Sequence, residues 1–146
     1  MKKYMHIALA ALVWTAVWAC SEPDNIVSSS TEDGQFSLAL EAEENWVRPR
    51  GELPIRLRVE RLGGPPSEDF SGEIELVSNG GSVSPSTVFV EMAAPDSAGL
   101  GGEDSFERWI VFTASSSGSV VDRADVHALF GDALATLKIR VVPATE

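Results

Sequence analysis

Apolar residues in this chain recur at every second position, and this rhythm, more than any other feature, limits what the chain can fold into. Phe36, Leu38 and Leu40 alternate with Ser37, Ala39 and Glu41. Leu53, Ile55, Leu57 and Val59 alternate with Pro54, Arg56, Arg58 and Glu60. Ala135, Leu137, Ile139 and Val141 alternate with Thr136, Lys138 and Arg140. Period two sends neighbouring side chains to opposite faces, as in a half-buried strand. Beyond residue 20, no stretch keeps apolar residues at i, i+3, i+4 and i+7 over three turns without Gly or Pro. The chain is therefore expected to be all-β.

Glycine and proline punctuate the runs. Gly51 opens the second, and Gly63-Gly64-Pro65-Pro66 follows it. Glu73–Val77 forms a third short run closed by Asn79-Gly80-Gly81, and Thr87–Met92 a fourth opened by Pro85. Such clusters set strand ends. Phe106–Ala114 is a fifth run with apolar residues at both parities, so the pattern leaves open whether Trp109 or Ile110 points inward. Arg123–Phe130 enters Gly131-Asp132 and returns as the run from Ala135, the signature of a β-hairpin. Seven short strands between Gln35 and Val142 predict an antiparallel β-sandwich.

The N-terminus has a different character. Lys2 and Lys3 precede an uncharged apolar run, Met5–Ala19, of 15 residues. Spanning a bilayer takes about 20. A basic flank, a short apolar core and a small residue at its end read as a secretory signal peptide over residues 1–19. The run closes on Val17-Trp18-Ala19-Cys20, and Cys20 is the single cysteine of the chain. Residues 21–35, SEPDNIVSSSTEDGQ, are polar apart from Ile26-Val27, and such a composition reads as a flexible tether over 20–34 that leads to a domain at 35–146.

Val17-Trp18-Ala19-Cys20 resembles the bacterial lipobox, with an aliphatic residue three before the cysteine and a small one just before it; the bulky Trp18 departs from the usual pattern. The resemblance implies that Cys20 becomes a diacylglyceryl thioether and the new N-terminus, anchored through palmitate-like chains to the cell envelope. Two or more acyl chains suffice for stable anchoring. Ser21 resembles the residue that lets lipoproteins leave the inner membrane, which implies the outer membrane. From Phe36 to Val142 the order of phrases (GELPIRLRVERL, the Gly-Gly-Pro-Pro turn, GGSVSP, RWIVFTA, ADVHALFGDALATLKIRVV) resembles the immunoglobulin-like domains of invasin and intimin adhesins. That resemblance implies an immunoglobulin-like antiparallel β-sandwich of about seven strands. The chain departs from the pattern in its long segment between Glu91 and Phe106, and it lacks the Cys-Trp-Cys signature and Tyr corner of antibody domains, Tyr4 being its only tyrosine.

Composition narrows the functions. The chain carries 11 Lys+Arg against 22 Asp+Glu, a formal charge of −11; loss of Lys2 and Lys3 leaves nine basic groups and a formal charge of −13. Nucleic acid is an unsuitable partner, because phosphate binding draws on clustered Lys and Arg. One Cys permits no intramolecular disulfide, and His127 is the only histidine beyond the signal peptide, so multi-Cys and multi-His metal centres are not expected.

Three groups of residues merit weighing as sites. Asp125 and His127 share a strand face, but no Gly-x-Ser-x-Gly elbow accompanies them, and a solvated or interstrand polar pair is the expected reading. The acidic stretch 92–105 offers Asp96, Glu103 and Asp104; its spacing matches no calcium loop, and it reads as a solvated loop and a possible partner-binding loop. Trp46 and Trp109 are expected to pack in the core or at an edge, while Arg56, Arg58, Lys138 and Arg140 decorate outer faces and pair with Glu60, Glu73 or Glu75. No catalytic residue, metal or cofactor is expected. The function this implies is a membrane-anchored envelope lipoprotein whose domain is a non-enzymatic binding or structural module for a protein or glycan. The alternative is an accessory or spacer subunit of a larger envelope assembly, such as a secretion or polysaccharide system.

Overall fold

The computed structural model describes residues 27–32, 35–115 and 122–143; the predicted signal peptide, Cys20 and residues 21–26 lie outside the described residues. The chain is an all-β sandwich of ten described strands: β1 (Val27–Glu32), β2 (Phe36–Ala42), β3 (Trp46–Val47), β4 (Glu52–Arg61), β5 (Phe70–Asn79), β6 (Gly81–Ser84), β7 (Thr87–Met92), β8 (Ser105–Ala114), β9 (Asp122–Phe130) and β10 (Ala133–Val141). They form two five-stranded sheets, ordered β1-β2-β4-β8-β6 and β3-β10-β9-β5-β7. Every ladder is antiparallel except the short parallel pairing of β3 with β10. With β1, β3 and β7 set aside, β2-β4-β8-β6 over β10-β9-β5 follows the four-and-three strand order of a constant-type immunoglobulin sandwich.

The alternating positions do what their period demands. Leu38, Leu40, Ile55, Leu57, Val59, Ile110 and Phe112 of the first sheet meet Ile74, Leu76, Val90, Val126, Leu137 and Ile139 of the second in one apolar core. No described polar or charged side chain is buried. Fully burying side chains of this size contributes about 1.5–3 kcal/mol each relative to exposure. At one end, Phe36, Phe70 and Phe130 form an aromatic trio with centroids 4.8, 5.1 and 5.9 Å apart. Gly72 makes room for it, since a Cβ there would stand 2.7 Å from the Phe130 ring.

The ambiguity in the fifth run is resolved by its neighbour. β4 has a single possible inward parity, and its register with β8 sets Ile55 opposite Ile110 and Arg56 opposite Trp109. A one-residue slip would reverse both faces, so Ile110 points inward and Trp109 outward. The β9–β10 hairpin forms as expected, with Phe130 opposite Ala133 and Gly131 at φ 58° in the first turn position.

Three strands were not legible in the alternation. β1 occupies part of the predicted tether, pairing Val27 with Ala42 through to Glu32 with Ser37, so the folded unit reaches back to Val27 and the predicted flexible tether over 20–34 is corrected to that extent. Its run of serines has no apolar period; what recruits it is the open edge of β2, whose main-chain groups require partners. β3 is two residues long, fixed where Arg140 N–H donates to the Asn45 carbonyl at 2.9 Å and Val142 N–H to that of Val47 at 2.8 Å. β6 begins within Gly80-Gly81, which the sequence marks as a strand end and which the structure uses as a corner. At φ 68°, Gly80 turns the chain out of the β5 sheet, and β6 joins β8 in the other. A Cβ on Gly81 would overlap the Thr113 carbonyl and the Phe112 ring.

Candidate functional site

The acidic loop joins β7 to β8. The Asp96 carboxylate accepts the Ala98 and Leu100 N–H groups at 2.9 and 2.8 Å, folding residues 96–100 around itself. Glu103 accepts the Ala93 N–H at 3.1 Å while its own N–H donates to the Ala93 carbonyl at 2.9 Å, closing the loop at its base. Gly102 packs so tightly that a Cβ would lie 2.8 Å from Pro65 and 2.9 Å from Pro95. The acidic stretch is thus a folded loop, and two of its three candidate carboxylates hold the loop's own main chain. Asp104 is exposed, and its carbonyl receives the Arg61 N–H. Beside Glu103 lies an open cleft of about 400 Å³ lined also by Asp69, Phe70, Glu91 and Met92. Glu91 immediately precedes the loop, and Asp69, distant in sequence, reaches it through the β5–β7 pairing and accepts the Ala94 N–H at 3.0 Å; neither was singled out in the sequence. Among the described residues, no three His, Cys, Asp or Glu side chains form a metal-binding group.

A second surface forms on the outer face of the first sheet. The registers of β2, β4 and β8 set Glu41, Arg56 and Trp109 side by side in one row. The Arg56 guanidinium donates to Glu41 through Nε at 2.9 Å and also through Nη2. This hydrogen bond and the attraction of Glu41 raise the Arg56 pKa above its ordinary value. Trp109, 59% exposed, stands beside the pair, and a shallow cleft of about 220 Å³ lies between them, lined also by Ala42 and Glu43. Arg58 reaches Glu60 at 3.4 Å and Glu107 at 3.7 Å. For Arg56 and Arg58, the expected pairing with Glu60 is therefore present at Arg58, whereas Glu73 and Glu75 lie in the other sheet and Glu41 and Glu107 take their place; Arg140, in that other sheet, donates to Asn45 Oδ1 at 3.2 Å. For one tryptophan the expectation is corrected: Trp109 lies outside the core on the outer face of β8, a strand flanked by β4 and β6, whereas Trp46, 36% exposed, sits on the edge strand β3.

On the outer face of the second sheet, Asp125 and His127 separate into unrelated contacts. Asp125 binds Asn79, whose Nδ2 donates to its carboxylate at 3.1 Å and whose Oδ1 accepts its N–H at 2.8 Å. His127 Nδ1 lies 3.0 Å from Thr136 Oγ1 across the hairpin. Both are interstrand polar pairs, as the sequence leads one to expect. Phe89, missed in the sequence because it sits in an otherwise ordinary strand, is 71% exposed on β7. Comparison with protein-family models and with curated proteins finds no match for this chain.

Proposed function

We propose that this chain is a bacterial envelope lipoprotein, lipid-anchored through Cys20 and directed to the outer membrane, whose immunoglobulin-like sandwich is a non-enzymatic module that binds a protein or glycan. The observation that carries the binding reading is Trp109. It lies mid-strand on a sheet face, held beside a fixed Arg56–Glu41 pair, and it leaves most of its surface in water. A rigid aromatic next to oriented hydrogen-bonding groups is the composition of recognition surfaces, where Trp and Arg carry much of the binding energy. The acidic loop is a second contact, favoured by the carboxylate-lined cleft that Glu103 shares with Asp69 and Glu91. The start of β1 at Val27 supports the anchor reading in one respect: six residues, 21–26, separate it from Cys20. At full extension they reach about 20–25 Å, which keeps the module close to the bilayer surface.

Two measurements test the two halves of this reading. Cys20→Ser should move the protein from the membrane fraction to the soluble fraction and abolish incorporation of labelled palmitate; unchanged membrane retention refutes the anchor. Photo-crosslinking in intact envelopes from position 43, which lines the Trp109 cleft, and from position 97 on the loop should capture a partner that Trp109→Thr loses while its thermal unfolding stays unchanged. Capture that survives Trp109→Thr but is lost when Glu103 and Asp104 are neutralised places the contact on the loop, and a module that captures nothing from either position is a spacer.

A further inference from the structure

A sandwich leaves sheet edges open, and an unprotected edge is a template for another strand. Three of the four edges here are poor templates: β3 has two residues, β6 has four and runs into Pro85, and β1 is a run of serines and threonine. The fourth, β7, is Thr-Val-Phe-Val-Glu-Met, six residues that are β-branched or apolar apart from Glu91, with no Lys, Pro or bulge to blunt it.

The ladder with β5 fixes which groups the edge presents. Leu76 N–H donates to the Ser86 carbonyl at 2.8 Å, so Leu76 and Ser86 are a hydrogen-bonded pair. In an antiparallel ladder bonded and non-bonded pairs alternate. Given the register, Glu75–Thr87, Glu73–Phe89 and Ser71–Glu91 are non-bonded pairs. The N–H and C=O groups of Thr87, Phe89 and Glu91 therefore face away from β5, where they meet no partner among the described residues. The same residues point their side chains outward, and Phe89 is the most exposed large apolar side chain in the described structure.

We propose that β7 is a self-association edge at which two copies of this chain pair antiparallel about a two-fold axis through Phe89, joining their sheets into one. The sequence around Phe89 is nearly palindromic: this register sets Phe89 against Phe89, Val88 against Val90, and Thr87 against Glu91 of the second copy. Every outward main-chain group then finds a partner, because the residues that become hydrogen-bonded pairs are those left unbonded by β5. Phe89 is covered by its counterpart in an aromatic contact. Glu91 meets a threonine instead of a second carboxylate, which removes the like-charge penalty of other registers. The two-fold also satisfies the closure that a stable dimer needs. Because each copy is strongly acidic, the long-range repulsion must be screened, and association strengthens with salt.

The test is thiol crosslinking in the full chain carrying Cys20→Ser, so that an introduced cysteine is the only thiol. Hydrogen-bonded antiparallel residues stand about 5.5 Å apart between Cα atoms, within the range a disulfide spans. Under mild oxidation at physiological salt, Phe89→Cys should form a covalent dimer at least about tenfold faster than Leu100→Cys or Val77→Cys, which are exposed elsewhere, because the prior association makes the reaction effectively intramolecular. Phe89→Lys in the same background should sediment as a monomer with an unchanged circular dichroism spectrum, while the parent sediments as a dimer. Equal crosslinking rates at the three positions, faster crosslinking at Val77→Cys, or a parent that stays monomeric where crosslinking is run overturns the proposal.

Discussion

Gly81 occupies the point where β6 leaves Gly80 and settles against β8, and the absence of a side chain there is a packing requirement. A Cβ would overlap both the Thr113 carbonyl and the Phe112 ring, neither of which can yield: one is main chain in a central strand and the other a fully buried ring. Overpacking of this kind typically costs 1–3 kcal/mol. Gly81→Val should therefore lower the unfolding free energy by about 2–3 kcal/mol in urea titration, with an m-value close to that of the parent. Trp109 makes the opposite case. Its ring is mostly in water, so Trp109→Thr, which keeps a good strand former, should change stability by less than about 0.5 kcal/mol. The contrast separates a residue that the fold requires from one the fold merely carries. The Arg56–Glu41 pair falls between them: it fixes an orientation, but solvent screens a pair this exposed and leaves it little weight in stability.

At the level of elements, the loop between β7 and β8 shows how acidic residues become structural. Its charge reads in the sequence as a solvated surface, and no pattern there distinguishes a carboxylate facing water from one facing its own main chain. Asp96 does the latter, accepting two N–H groups within four residues. Asp96→Ala should leave global stability within about 1 kcal/mol, because both bonds are exposed to solvent and confined to the loop. It should also accelerate hydrogen exchange at the Ala98 and Leu100 amides well above the change seen in β4 or β8. A uniform acceleration across the sandwich would show that the loop braces the whole fold. β1 presents a related problem. Its serines carry no periodic signal, and its place is decided by the edge of β2, which is itself legible.

For the whole molecule, that pairing alters where the domain begins. A chain starting at Gln35 leaves the β2 edge open, whereas one starting at Val27 covers it. The longer chain should unfold at higher urea concentration, by about 2 kcal/mol in free energy given the ladder bonds it restores. It should also aggregate more slowly on heating, because an open edge invites pairing. Equal stability of the two would show that β1 docks without contributing. The sandwich closes on an entirely apolar described core, so its loops, edges and outer faces are free to differ without disturbing folding.

Period-two alternation by itself determined the all-β class, most strand positions and the inward residues of β2, β4 and β10, because a strand with one buried face must write that face into its sequence. The Gly131-Asp132 hairpin was equally local, since two turn residues between two alternating runs leave little choice. The tertiary structure alone decided the parity of β8, the sheet switch at Gly80-Gly81, and the recruitment of β1 and β3. Each of these depends on a neighbour distant in sequence: the register with β4, the ring of Phe112, the open edge of β2, the end of β10. The candidate site shares that origin. Glu41, Arg56 and Trp109 lie far apart along the chain, and only the hydrogen-bonded registers of three strands bring them into one row.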